Sequence, residues 1–162
     1  MLGLPALAPA QPGASGGPIF RVRVRDTGST VVSVRRLEID HGFGSQCEPL
    51  LVAEFAHGAD GPQNVQVVKL GFISRRFEGH AFRVETDSAA YELGVLRPLD
   101  FVEDTICRWM PPKVGVEVDR ATYLAIVRST RVVLQVGERS IPLTREHLDV
   151  LRALAAELAR GG

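Results

Sequence analysis

The chain has almost no lysine, few cysteines and no net charge. Lysine occurs only at Lys69 and Lys113, so nearly all of the 19 basic residues are arginine, a composition that reflects a GC-rich genome more often than a function. The 19 acidic residues balance them. This balance excludes a global electrostatic field that would attract nucleic acid or an anionic membrane, and the sequence gives no strong nucleic-acid signal.

Long hydrophobic runs are also missing. No apolar run approaches the roughly 18–20 residues that a helix needs to cross a bilayer, so no transmembrane segment is predicted. Residues 1–18 are mainly proline, glycine, alanine and serine and predict a flexible leader. Within it, Ala8-Pro9-Ala10 has the small-x-small form of a signal cleavage site. A plain leader is an equal alternative, and the compartment stays open, with export slightly favoured over the cytoplasm.

Cys47 and Cys107 are the only cysteines, too few for a disulfide framework. They are interpreted as two buried thiols, as one disulfide, or as residues with a metal or nucleophile role; we keep them as a candidate disulfide. The four histidines do not form the close pairs that are typical of zinc sites. We therefore predict no metal, no cofactor and no catalytic residue.

What the chain does contain is a succession of short segments with the period-2 alternation of β-strands. Apolar and charged residues alternate strictly from Phe20 to Arg25. In a second segment the buried phase changes between Val34 and Leu37, which predicts a bulge or a twist. The predicted strands cover 20–25, 31–40, 50–55, 65–73, 82–86, 91–96, 105–109, 114–118, 132–136 and 140–143.

Helical patterns occur only near the end of the chain. Asp119 is a plausible N-cap for a short helix over 121–128, and Thr144 for an amphipathic helix over about 145–160. His147 falls in the first turn of that helix, where the helix dipole disfavours a cation, so we expect it to be neutral and solvent-facing.

The number and spacing of these elements predict one domain over residues 19–162. About nine to eleven short strands at spacings near ten residues favour an antiparallel β-sandwich or barrel over alternating βαβ units. The expected architecture is mainly β, with a short helix and a C-terminal amphipathic helix packed on it.

Five arginines form the candidate interaction surface. Arg21, Arg23 and Arg25 lie on one face of the first predicted strand, and Arg35 and Arg36 lie beside them if the first two strands pair as a hairpin. Such a strip could bind an anionic partner. The alternative is the solvated face of an outer strand, where charge prevents edge-to-edge pairing.

The polar loop from Asp40 to Cys47 carries a carboxylate, an imidazole, a hydroxyl and a thiol within eight residues. A nucleophile and a base could meet there, although a turn-rich connection between strands is favoured. Asp100, Glu103 and Asp104 form a small acidic cluster without the ligand spacing of a calcium loop.

The C-terminal unit resembles a known kind of domain. Residues 118–127 carry Tyr123 in a short helix, and 132–137 read V-x-x-x-V-G. A return strand then ends in Leu143-Thr144 before the closing helix. This pattern is similar to the tail of small bacterial β-sandwich domains of unknown function, often found in exported or lipid-anchored proteins. The resemblance implies a fold and a compartment, and it carries over no catalytic residue.

The leading hypothesis is a non-enzymatic binding or assembly module that presents a β-sandwich surface to a protein partner or to a second copy of itself. One alternative is a structural subunit of a homo-oligomeric assembly such as a capsid or envelope component. A second alternative is an enzyme that uses the loop from His41 to Cys47.

Overall fold

The computed structural model describes residues 17–35, 37–39, 49–102 and 112–160. In these ranges the chain forms eleven strands, a 3₁₀ turn and two helices. The strands are β1 (Ile19–Arg23), β2 (Thr30–Val34), β3 (Leu37–Glu38), β4 (Leu50–His57), β5 (Val67–Ile73), β6 (Ala81–Thr86), β7 (Ala90–Val95), β8 (Arg97–Pro98), β9 (Lys113–Asp119), β10 (Val132–Val136) and β11 (Arg139–Pro142). The 3₁₀ turn is Pro62–Asn64, and the helices are α1 (Arg120–Arg128) and α2 (Arg145–Ala159). The predicted mainly β class with a C-terminal helix is confirmed.

The strands form two sheets in which every pair is antiparallel. The large sheet has seven strands in the order β1-β2-β4-β5-β9-β8, with β3 also paired to β4. The small sheet has four strands in the order β11-β10-β6-β7. Two antiparallel sheets agree with the predicted sandwich or barrel class.

One main core joins both sheets and both helices. The Phe72 ring on the large sheet meets the Phe82 ring on the small sheet edge-on, with centroids 5.2 Å apart. The fully buried Tyr123 of α1 donates its hydroxyl hydrogen to the Leu151 carbonyl of α2 over 2.7 Å. The two helices and the small sheet therefore cover the same face of the large sheet, which we call the inner face.

Side-chain caps fix where both helices begin. Asp119 Oδ1 accepts a hydrogen bond from the Thr122 N–H over 2.9 Å, and this bond lowers the pKa of the Asp119 carboxyl. Thr144 accepts from the His147 N–H, and His147 Nδ1 accepts from the Thr144 N–H over 3.1 Å. Since Nδ1 is an acceptor, Nε2 donates to the Glu38 carbonyl over 2.7 Å. The expectation of a solvent-facing His147 is therefore wrong, because the half-buried ring closes a capping box and joins α2 to β3.

Between the two halves of the second predicted strand, where the sequence predicted a bulge or a twist, the strand pairing shows a bulge. Ser33 of β2 lies opposite Glu54, and Leu37 of β3 lies opposite Leu51 on the same partner strand. Four residues of advance from Ser33 to Leu37 thus lie opposite three residues of advance along β4, from Glu54 to Leu51. One extra residue of this kind is the defining feature of a β-bulge, and it lets Val34 and Leu37 both reach the main core.

The outer face of the large sheet is also buried. Leu50, Val52 and Ile73 form a second apolar cluster with Phe101, which lies in the segment 99–102 that we call the strap. Gly115 makes room for this contact, because a Cβ at that position would lie 2.8 Å from the Phe101 ring. The strap therefore crosses the sheet where the sequence provides no side chain.

Some predictions fall outside the described residues. The strand predicted over 105–109 and residues 1–16 of the predicted leader are among them. The two-residue strand β8 was not predicted.

Candidate functional site

The five candidate arginines lie in different places. Arg21 and Arg23 belong to β1, where Arg21 lies opposite Val32 of the main core and so shares the inner face of the sheet. Arg25 lies in the turn after β1, so the strand ends two residues before the predicted boundary. Arg36 lies outside the described residues.

Two of these arginines meet at a groove between the start of β1 and helix α2. We call it the β1–α2 groove; its volume is about 410 Å³. Arg21 and Arg35 line it together with Arg160, the C-cap residue of α2, to which no sequence pattern pointed. Glu157 contributes the single carboxylate, and the rest of the lining is Gly17, Pro18, Ile19, Ala153 and Ala156.

Glu157 is the centre of the charge arrangement. Its side chain is 12 % exposed and forms ion pairs with Arg21 and with Arg160, whose Nη1 is 3.2 Å from the carboxylate. Three guanidinium groups and one carboxylate thus line the groove, which leaves an excess of positive charge. Arg21 and Glu157 are 136 residues apart, so no local sequence pattern could have predicted this contact.

Arg35 is held at the mouth of the groove by the residues before β1. Its backbone N–H donates to the Pro18 carbonyl over 2.7 Å, and its Nε donates to the Gly17 carbonyl over 2.8 Å. The guanidinium carbon lies 5.6 Å from the centre of the Phe20 ring, within the range of a cation–π contact. This arginine therefore has a fixed position.

Three more arginines lie on the other side of α2. Arg120 and Arg128 of α1 and Arg152 of α2 line a second groove of about 290 Å³ between the two helices. Ala156 lines both grooves, so the two are neighbours across one turn of α2. We call the two grooves together the α2 surface.

A separate polar cluster lies on the outer face of the large sheet. Glu54 is only 3 % exposed and accepts a hydrogen bond from the Val102 N–H over 3.0 Å. Lys69 Nζ is 3.9 Å from the Glu54 carboxylate. Lys69 and Lys113, the two lysines of the chain, donate to the backbone carbonyls of residues 100–101 over 2.8 Å each. The three hydrogen bonds all connect the sheet to the strap, so the cluster is a clamp that holds the strap on the sheet.

Burial raises the pKa of the Glu54 carboxyl, although the Val102 N–H and the Lys69 ammonium act in the opposite direction. Desolvation outweighs the partners because the carboxylate has lost most of its contact with water. The sequence offered one signal for this cluster, since the only two lysines of an arginine-rich chain both belong to it.

The remaining candidates belong to segments outside the described ranges. The loop from His41 to Cys47, Cys107, Glu103 and Asp104 lie outside the described residues. Among the residues that are described, no group of three histidine, cysteine, aspartate or glutamate side chains could hold a metal ion. Within the same ranges, no helix combines the length and the hydrophobicity needed to cross a membrane.

Comparison with known proteins does not assign the chain to a family. The two antiparallel sheets and the C-terminal helix agree with the fold that the resemblance of the C-terminal unit implies, while the family assignment stays a prediction. No family model, no curated protein and no solved structure matches the chain.

Proposed function

We propose that this domain is a non-enzymatic binding module that docks an acidic segment of a protein partner on the α2 surface. The observation that carries the proposal is that Arg21, Arg35 and Arg160 line one groove, in which Glu157 supplies the single carboxylate and pairs with Arg21 and Arg160. The chain as a whole has no net charge, so this excess is local. A local excess of charge selects and orients a partner of the opposite charge.

Charge also favours a different protein over a second copy of this chain. A two-fold contact buries the same patch on both subunits. Such a contact through the α2 surface would bring Arg21 and Arg160 of one copy close to arginines of the other. Like charges in an interface are costly, whereas an acidic partner would neutralise them.

The resemblance of the C-terminal unit to small bacterial domains supports a further part of the proposal, namely that the protein is bacterial.

A peptide selection tests the proposal. A random library of peptides about twelve residues long, roughly 40 Å when extended, is selected on the immobilised protein. We expect the wild type to enrich peptides rich in aspartate and glutamate. The double variant Arg21→Gln with Arg160→Gln brings the charge of the groove lining to zero, and we expect it to lose this enrichment.

A matched control is available on the same strand and its following turn. Arg23→Gln with Arg25→Gln removes the same charge at positions that do not line the groove and should leave the acidic enrichment unchanged. The variants should stay folded, because Arg21 and Arg160 are 47 % and 70 % exposed and a glutamine amide at either position can still donate a hydrogen bond to the Glu157 carboxylate. Equal enrichment by both double variants, or selection of peptides without acidic residues, would contradict the proposal.

A further inference from the structure

The groove between α1 and α2, the α1–α2 groove, differs in character from the β1–α2 groove. Its floor is apolar: Val127 is buried, and Leu124 and Ala155 are half-buried. Arg120, Arg128 and Arg152 stand around it. An apolar floor with a basic rim suits a ligand that is itself apolar at its centre and acidic at its edges.

Two of the rim arginines are fixed in place by backbone carbonyls. Arg120 Nη1 donates to the Pro62 carbonyl over 3.0 Å, and its Nη2 donates to the Leu158 carbonyl over 3.0 Å. Arg152 donates from Nε to the Val127 carbonyl and from Nη2 to the Ser129 carbonyl, each over 2.8 Å, and its Nη1 forms an ion pair with the exposed Asp149 carboxylate over 3.4 Å. A carbonyl orients a guanidinium group without cancelling its charge. These charges are therefore positioned before any ligand arrives, which lowers the entropic cost of binding.

The size of the groove limits what it can hold. Its volume of about 290 Å³ lies at the lower bound of small-molecule pockets, which begin near ~300 Å³. A groove of this volume suits one large side chain better than a cofactor or an extended lipid. Because Ala156 belongs to both grooves, a segment that fills this groove also reaches the carboxylate-binding arginines of the other.

We infer that the α1–α2 groove receives a single large apolar side chain of the acidic partner segment, with carboxylates of that segment on both sides of it. This inference rests on the proposed function, because it names the anchor of the same partner. Buried apolar anchors in pockets, surrounded by charged contacts at the rim, are the usual source of affinity in protein interfaces. The arginines would then supply orientation and selectivity, and the groove would supply affinity.

Defined peptides test this inference. The probe is a fluorescent peptide of about fourteen residues, one central leucine with glutamates on both sides; in a helix it would be roughly 21 Å long. One comparison peptide has alanine in place of the leucine, and another has glutamine in place of every glutamate. By fluorescence anisotropy we expect the wild type to bind the leucine peptide about tenfold more tightly than the alanine peptide.

Two protein variants separate the groove from the rest of the surface. Ala159→Leu fills the α1–α2 groove, since Ala159 lines it and is exposed; it should abolish the preference for leucine and keep the preference for glutamate. Ala121→Leu adds the same group at an exposed position of α1 that lines neither groove and should change neither preference.

The outcomes distinguish the inference from the function on which it rests. Binding that depends on glutamate but not on the central leucine, or that Ala159→Leu leaves unchanged, overturns the inference alone. Binding that does not depend on glutamate, or no binding of any peptide by the wild type, overturns the proposed function as well.

Discussion

Glu54 is the residue at which burial and charge conflict most directly. It lies in the middle of β4, 3 % exposed, opposite Ser33 on one side and Lys69 on the other. An apolar side chain at this position would be easier to bury, but it could not accept the hydrogen bond from Val102. The carboxyl therefore holds the strap through this hydrogen bond, and the burial that accompanies the contact raises its pKa.

This conflict predicts a pH dependence of stability. Because its pKa is raised above the usual 4.5, the folded protein holds the Glu54 proton more tightly than the unfolded chain does. The free energy of unfolding therefore falls as the pH rises from 4.5 through the raised pKa, and this contribution is constant above it. In Glu54→Gln this contribution is absent. The stability of wild type relative to this variant should fall by up to about 1.4 kcal/mol per pH unit in that window, measured by urea unfolding.

A companion variant checks the cause. Lys69→Gln removes a charge that lowers the pKa of the Glu54 carboxyl, so the window should extend to higher pH. A stability difference between wild type and Glu54→Gln that does not change with pH would show that the carboxyl has the same proton affinity in both states.

At the scale of single residues, the sequence predicted local contacts well. Asp119 and Thr144 were identified as N-caps, because a cap contacts backbone groups only two or three residues away. The capping role of His147 was missed, since the usual residue at this position is glutamate or glutamine. Arg160 was also missed, because its neighbours in the groove come from the other end of the chain.

Among the elements, helix α2 connects the fold to the candidate site. Leu148, Leu151, Leu154 and Leu158 are all buried on one face of the helix. The opposite side carries Ala156 and Glu157, which line the grooves. The apolar stripe predicted from the sequence therefore holds the α2 surface in position.

Truncation of this stripe should be costly. Leu154 is completely buried, so Leu154→Ala should lower the free energy of unfolding by about 2–5 kcal/mol, through lost burial and a residual cavity. The same holds for Leu151→Ala. Urea unfolding measures the loss, and Arg145→Ala at an exposed position of the helix should change it by no more than about 0.5 kcal/mol. A loss below about 1 kcal/mol for Leu154→Ala would mean that α2 does not pack as described.

The hairpins show why the strands were easier to predict than the long-range pairing between them. The pairs β6–β7 and β10–β11 are joined by short turns, and both were predicted from turn residues between apolar segments. The pair β6–β10 joins strands that are far apart in the chain, with Leu134 opposite Val84. Such pairing depends on the whole core and leaves no mark in a local pattern.

For the whole molecule, the burial of both faces of the large sheet is what made the orientation of its strands hard to predict from the sequence. Phe20, on the outer face of β1, is 8 % exposed, and Val32, on the inner face of β2, is 2 % exposed. Period-2 alternation separates the two faces of a strand, but it cannot say which face meets α2. The sequence therefore predicted a strip of arginines that includes Arg21, either as an interaction surface or as a solvated face, but not that Arg21 faces helix α2 and pairs with Glu157.

The arrangement of helices and sheets then explains how a neutral chain presents a basic surface. Arginines from β1, from the bulge after β2 and from both helices meet around α2. Two arginines of the α1–α2 groove, Arg120 and Arg152, are held by carbonyls of neighbouring elements. The surface thus depends on the complete fold, which is why composition and net charge alone pointed to no partner.

The most direct test of this account is the mapping of amide chemical shifts during titration of the isotope-labelled protein with the glutamate-and-leucine peptide. Binding at the α2 surface should shift the amides of Gly17, of residues 19–21, of Arg35 and of helices α1 and α2, in a saturable manner. The amides beside Lys69 and Lys113 on the outer face should stay unchanged. Shifts confined to that outer face, or no saturable shifts at the α2 surface, would contradict the account.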